Sequence, residues 1–217
     1  MTFTCRSVLA VAAFVAGIAG VSTPSYALSF DLTSDHCSGG CAPAGTVFGT
    51  VTLTQNGTSV GFTVHLNSPF VFANTGSVDN QAFKFNATGV AVTDILVNQT
   101  VPGQTLIADT GAFNGDGTGP FSFGIACSTC GGGLSSAFSN DITFSVANSV
   151  ISDFTNPNAN GNVFVADIGN PATGATGPID ASTPTPVPGP VVGAGLPGLI
   201  IACGGLIALA RRRRKIA

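Results

Sequence analysis

The stretch Gly61-Phe62-Thr63-Val64-His65-Leu66-Asn67 decides the fold class. In an extended chain Phe62, Val64 and Leu66 project to one side while Thr63 and His65 project to the other, because successive side chains of a strand point to opposite faces. A helix would place its apolar residues three and four apart. The same period of two recurs at Asp141 to Val146, where Ile142, Phe144 and Val146 oppose Asp141, Thr143 and Ser145. Outward from these two segments, strands are expected at Thr46 to Thr54, Val60 to Leu66, Gln81 to Phe85, Ala91 to Val97, Phe121 to Ala126, Asp141 to Val146 and Asn162 to Ile168. Turn residues separate them: Asn56-Gly57, Asn74-Thr75-Gly76 and Asn114-Gly115-Asp116-Gly117 all tolerate the positive φ of tight hairpins. About seven to nine short strands at this spacing predict an all-β domain, an antiparallel β-sandwich, with a single barrel as the second architecture.

Composition supports a folded, exported domain. Gly 29 and Pro 13 in 217 residues are many for a compact protein, yet short of a low-complexity chain. Charged residues make up 8 %, against roughly 25 % in ordinary domains, and Thr, Ser and Asn take the polar positions instead. All ten acidic residues are Asp and lie between Asp31 and Asp180, where the one cation is Lys84. Nucleic acid is excluded as a partner of that region, since a phosphate backbone needs a basic face. Of the 16 Phe, all but Phe3 and Phe14 fall in the same region, and with no Trp and one Tyr, Phe must build the core. Each buried Phe contributes about 1.5–3 kcal/mol, enough for one stable domain.

The two ends read as addresses. Arg6 precedes the apolar run Val8 to Val21, and Ser25-Tyr26-Ala27 places small residues where a signal peptidase cuts. At about 1.5 Å per residue that run reaches only about 21 Å, short of the roughly 30 Å of hydrocarbon. Residues 1–27 are therefore expected to be a cleavable signal peptide, followed by an ectodomain over 28–180. Residues 181–190 form a Thr/Pro linker, Val191 to Ala210 an apolar run about 30 Å long as a helix, and 211–217 a basic tail headed by Arg211-Arg212-Arg213-Arg214-Lys215. Cations behind an uncharged span fix a single-pass topology in the inner membrane, with the tail cytoplasmic and the ectodomain periplasmic.

The order Pro188-Gly189-Pro190, apolar helix, Arg211 to Arg214, in a chain with a signal peptide, resembles the PEP-CTERM sorting domain of Gram-negative exported proteins. The resemblance covers roughly Pro186 to Lys215, with Gly189 where the family usually has Glu. It implies recognition by an exosortase, an integral-membrane cysteine protease, and delivery to the cell surface or extracellular matrix. Phe164 to Ile168 followed by Thr173 to Gly177 also resembles the last strand and loop of many such ectodomains.

Candidate chemistry is sparse. Cys37, Cys41, Cys127 and Cys130 are an even set in a chain sent to an oxidising compartment, so two disulfides are expected. Spacing leaves connectivity open, with local closure of each pair favoured over a four-thiolate zinc site or redox chemistry. Asn114 and Asp116 could offer oxygen to Ca²⁺, but the segment lacks the spaced acids of a calcium loop and reads as a plain turn. His36 and His65 are the only histidines, so any general base must be one of them. His65 falls on a polar strand face and His36 in a shaped loop; Asp167 reads as a half-buried structural residue. No catalytic residue and no cofactor are expected. The sequence thus points to a non-enzymatic envelope or matrix protein whose partners are the inner membrane, an exosortase-type protease and exopolysaccharide. A carbohydrate-binding module is the alternative, though it lacks the Trp or Tyr on which sugars stack; an exported hydrolase is a further one.

Overall fold

The computed structural model describes residues 26–75 and 80–185. The strands there are β1 (Ala27–Leu32), β2 (Ser34–Asp35), β3 (Gly49–Asn56), β4 (Ser59–Leu66), β5 (Val71–Asn74), β6 (Gln81–Phe85) and β7 (Ile95–Val97). Then follow β8 (Leu106–Asn114), β9 (Pro120–Cys127), β10 (Gly133–Phe138), β11 (Ile142–Ala147), β12 (Phe164–Gly169), β13 (Thr176–Ala181) and β14 (Pro184–Thr185). Helical structure among the described residues is limited to two 3₁₀ turns, Val92–Asp94 and Ile151–Phe154. The domain is all-β, as the alternation requires.

Every strand pairing is antiparallel. The first sheet runs β14-β1-β3-β4-β11-β7. The second is built around β12, which has β13 and then β2 on one side. On its other side two strands lie end to end: Phe164 to Ala166 pair with β6, which continues to β9 and β8, while Ile168 and Gly169 pair with β5, which continues to β10.

The sheets pack face to face through phenylalanine. All fourteen Phe of the described residues are buried. Phe62 of the first sheet stacks on Phe144 at 4.4 Å between ring centres and meets Phe154 edge-on at 4.9 Å. Across the gap it faces Phe85 at 5.6 Å and Phe164 at 6.2 Å, both from the second sheet. A smaller cluster of Phe113, Phe121 and Val165 sits on the outer side of the second sheet, where the β8–β9 hairpin folds over β12.

Several expected elements are corrected. The strand expected from Thr46 begins at Gly49, because Thr46 closes a turn onto the Pro43 carbonyl. Ala91 to Val97 is not one strand: the Asp94 carboxylate accepts the Ala91 N–H at 2.9 Å, winding Val92–Asp94 into a 3₁₀ turn, and only Ile95–Val97 pairs. Asn162 to Ile168 shifts to Phe164–Gly169. The strands outnumber the expected seven to nine because β1, β2, β5, β8, β10, β13 and β14 were not anticipated. Pairing of Pro184–Thr185 with β1 carries the folded unit into the segment that composition reads as linker.

The expected turn at Asn56-Gly57 forms, whereas that at Asn74-Thr75-Gly76 runs into residues 76–79, which lie outside the described residues. Asn56 faces Ser59, leaving Gly57 and Thr58 as a two-residue loop, and Gly57 has φ +61° at the first loop position, which a II′ hairpin reserves for glycine.

Candidate functional site

Register places the loops at two poles. Strand β3 runs antiparallel to β1, so the Asn56 hairpin lies at the same end as Ala27, and Gly49, Leu32 and Leu66 lie at the other. At that second end the Cys37–Cys41 loop, the Asn67-to-Phe70 turn with its cis Ser68–Pro69 bond, and the β12–β13 loop border an open cleft of about 570 Å³. Gly40, Pro43, Val47, Asn67, Phe70 and Asn170 contribute to its lining.

The loop with the first disulfide is braced from several directions. Cys37 and Cys41 are bonded, their Cα atoms 5.5 Å apart. One oxygen of Asp35 accepts the Cys37 N–H at 2.8 Å, and the other accepts those of Cys41 at 2.8 Å and Ala42 at 3.3 Å. Buried Asn170 donates its Nδ2 to the Cys41 carbonyl at 2.8 Å and accepts the Ala172 N–H at 2.9 Å. Gly177 fits because a Cβ there would stand 2.5 Å from the Cys37 Cα. Asp35, Cys37 and Cys41 bring potential ligand atoms within 4.8 Å, but the sulfurs are bonded to each other and the carboxylate is satisfied by backbone N–H groups. The arrangement is a loop brace.

Cys127 and Cys130 form the second disulfide, with Cα atoms 5.3 Å apart. Both local pairings thus form, and four free thiolates for zinc do not exist in this arrangement. Around Cys127–Cys130, Ser128 donates its N–H to the Thr105 carbonyl and Thr129 Oγ1 accepts the Thr105 N–H at 2.9 Å, tying the loop to the start of β8.

At the calcium candidates, Asn114 ends β8 and Asp116, with φ +39°, lies in the turn to β9. The turn closes through the Thr118 N–H and hydroxyl, both donating to the Gly115 carbonyl at 2.8 and 2.6 Å. Its outward carbonyls accept from asparagine amides: Thr118 from Asn158 and Asn162 at 2.8 and 2.9 Å, Gly117 from Asn160 at 2.8 Å. The Gly115, Gly117 and Thr118 carbonyls are therefore engaged, and the segment is a hairpin turn locked to the loop before β12.

Each histidine meets a carboxylate. His65 lies in the exposed face of the first sheet, its Nδ1 2.7 Å from Asp141 Oδ1. His36 lies 2.7 Å from Oδ2 of Asp180, which is 4 % exposed. Among the described residues no hydroxyl or thiol hydrogen-bonds either ring, so neither pair is extended into a nucleophilic triad. Burial pushes the Asp180 carboxyl above its ordinary value of 3.8, while the His36 hydrogen bond and charge and the Ser34 hydrogen bond pull it down. A carboxyl raised on folding contributes stability that is whole below its unfolded value and is lost as pH climbs through the raised folded one. Asp180→Asn is therefore expected to remove a loss of stability in the acid range just above 3.8, visible as a flatter pH dependence of urea midpoints than the wild type shows. Parallel profiles would contradict this.

Sequence reasoning missed the most unusual polar contact. Asp167 is not half-buried: it is 3 % exposed, and its Oδ2 lies 3.0 Å from Nζ of Lys84, itself 1 % exposed. The available signal was Phe83-Lys84-Phe85, the one Lys or Arg between Arg6 and Arg211 set between two core residues of a strand.

The sorting residues Pro188, Gly189, Pro190 and Arg211 to Arg214 lie outside the described residues, as do the signal peptide and the Val191 to Ala210 run. Among the described residues no helix is long and apolar enough to cross a membrane. The chain matches no protein-family model, no curated protein and no solved structure.

Proposed function

We propose that this chain is an exported, non-enzymatic protein of the Gram-negative cell envelope, held in the inner membrane by its C-terminal span and sorted outward through its Pro-x-Pro, apolar, Arg-cluster tail by an exosortase-type protease. One observation carries the reading furthest beyond the sequence. Ser29 pairs with Thr185 and Phe30 with Pro184, so the segments flanking the domain leave side by side from one pole. A domain tethered through its C-terminal end beyond Thr185 would carry the disulfide-braced cleft at the pole away from the bilayer. The burial of all fourteen Phe rings leaves none as a stacking platform for a sugar, which favours a passive surface or matrix role over the carbohydrate-binding alternative.

The test is the intact mass of the protein recovered from its native host. The expected species lacks residues 1–27, carries two disulfides and ends near Pro188. Recovery of the uncleaved polypeptide from the cytosol, with its thiols reduced, would overturn the proposal.

A further inference from the structure

We propose that Lys84 and Asp167 become joined by an intramolecular amide between Lys84 Nζ and Asp167 Cγ, a covalent cross-link between β6 and β12. Lys84 lies opposite Val165 in the antiparallel pair, and Asp167 is two residues further along β12, so both side chains rise from the same outer face of the second sheet. Their Nζ and Oδ2 atoms are 3.0 Å apart, so the carboxyl carbon Cγ lies one covalent bond beyond the oxygen that Nζ already contacts, and holding the two groups together removes the entropic cost of bringing them to each other.

The surroundings exclude water. The β8–β9 hairpin lies over the pair, with Phe113 and Phe121 packed on Val165. A Cβ at Gly115 would stand 3.3 Å from Val165 Cγ1 and 3.8 Å from Lys84 Cδ, so the turn backbone rests on the lysine stem. Two opposite charges in such a place are expensive to hold, because the desolvation penalty rivals their attraction. Condensation replaces both charges with one neutral amide and expels a water molecule from a site that bulk water does not enter.

The step balances without any co-reactant. A proton passes from Nζ to Oδ2 across the existing hydrogen bond, leaving a neutral amine and a neutral carboxyl. The Nζ lone pair attacks Cγ, and the carbonyl electron pair moves onto its oxygen. As the carbonyl re-forms, the C–O bond to the protonated oxygen breaks, and that hydroxyl takes a second proton from nitrogen and leaves as water. One N–C bond forms and one C–O bond breaks. The Gln81 carbonyl, 3.2 Å from Nζ, accepts from the amine throughout.

Lys84 is the only tryptic site between Arg6 and Arg211, which makes the test direct. The full-length protein is denatured, reduced, alkylated and digested to completion with trypsin. The expected result is an ectodomain left whole at residue 84 and lighter than its sequence by one water, whereas Lys84→Arg and Asp167→Ala proteins are each cut after residue 84 with no mass deficit. Cleavage of the wild type into two fragments of unmodified mass would overturn the proposal. So would resistance accompanied by a gain in mass, which marks a different lysine modification.

Discussion

Phe62→Ala is expected to lower the unfolding free energy by about 3–5 kcal/mol, the range for removing a buried aromatic side chain from a core that cannot collapse around the gap. The site cannot collapse because the ring touches Phe144 and Phe154 on its own side and Phe85 and Phe164 across the sheets. Truncation therefore strips contacts from both layers at once. Each of those rings is held by others in turn, Phe85 for instance by Phe83, Phe123 and Phe144. Urea titration followed by circular dichroism measures the change, with Phe113→Ala as the comparison. Phe113 is 8 % exposed and belongs to the small outer cluster, where the loss should be clearly less. Equal losses at the two positions would mean that the inter-sheet layer is not the principal source of stability.

Asp167→Ala should cost a similar amount, about 3–5 kcal/mol, for a different reason: a buried lysine loses the carboxylate it faces. Hydrophobic replacement of both partners is the informative comparison. Lys84→Met with Asp167→Leu removes both charges while keeping most of the volume, so the double variant should be more stable than Asp167→Ala alone. The ordering holds whether the two groups stand as an ion pair or as an amide, because only the single variant leaves a cation under the β8–β9 hairpin. Urea midpoints of the two variants decide it, and a double variant no better than Asp167→Ala would remove the electrostatic argument.

Strands with one buried face were legible in the sequence, and so was β6, which is buried throughout. Val60 to Leu66 and Asp141 to Val146 could be read because one face of each meets the core and the other meets water, and Gln81 to Phe85 was placed at its observed bounds. Strand β8 could not be read: of its nine residues only Leu106 and Phe113 are buried, so no period of two survives. Strand β13 hid behind Gly177 and Pro178, which depress strand propensity although β12 pairs along its full length. The even set of cysteines favoured two local disulfides, while spacing alone left their connectivity open until the structure closed both. Partners far apart in the chain were beyond reach: His36 and Asp180 are separated by 144 positions, and Lys84 meets Asp167 only because the topology sets β6 beside β12. Parity could suggest that Asp167 turned away from the main core, but not that a hairpin from elsewhere would cover it.

The placement of Ala27 and Thr185 at one pole also sets the mechanics of the domain. Strands of the first sheet run from the pole of Ala27 and Thr185 to the cleft pole, so a load applied between the cleft and Thr185 is directed along them. Such a load works in shear, where the hydrogen bonds of a ladder must fail together and cannot unzip one after another. The short β14 seam beside Thr185, two residue pairs long, would yield first and lengthen the released segment while the Phe-packed body stayed intact.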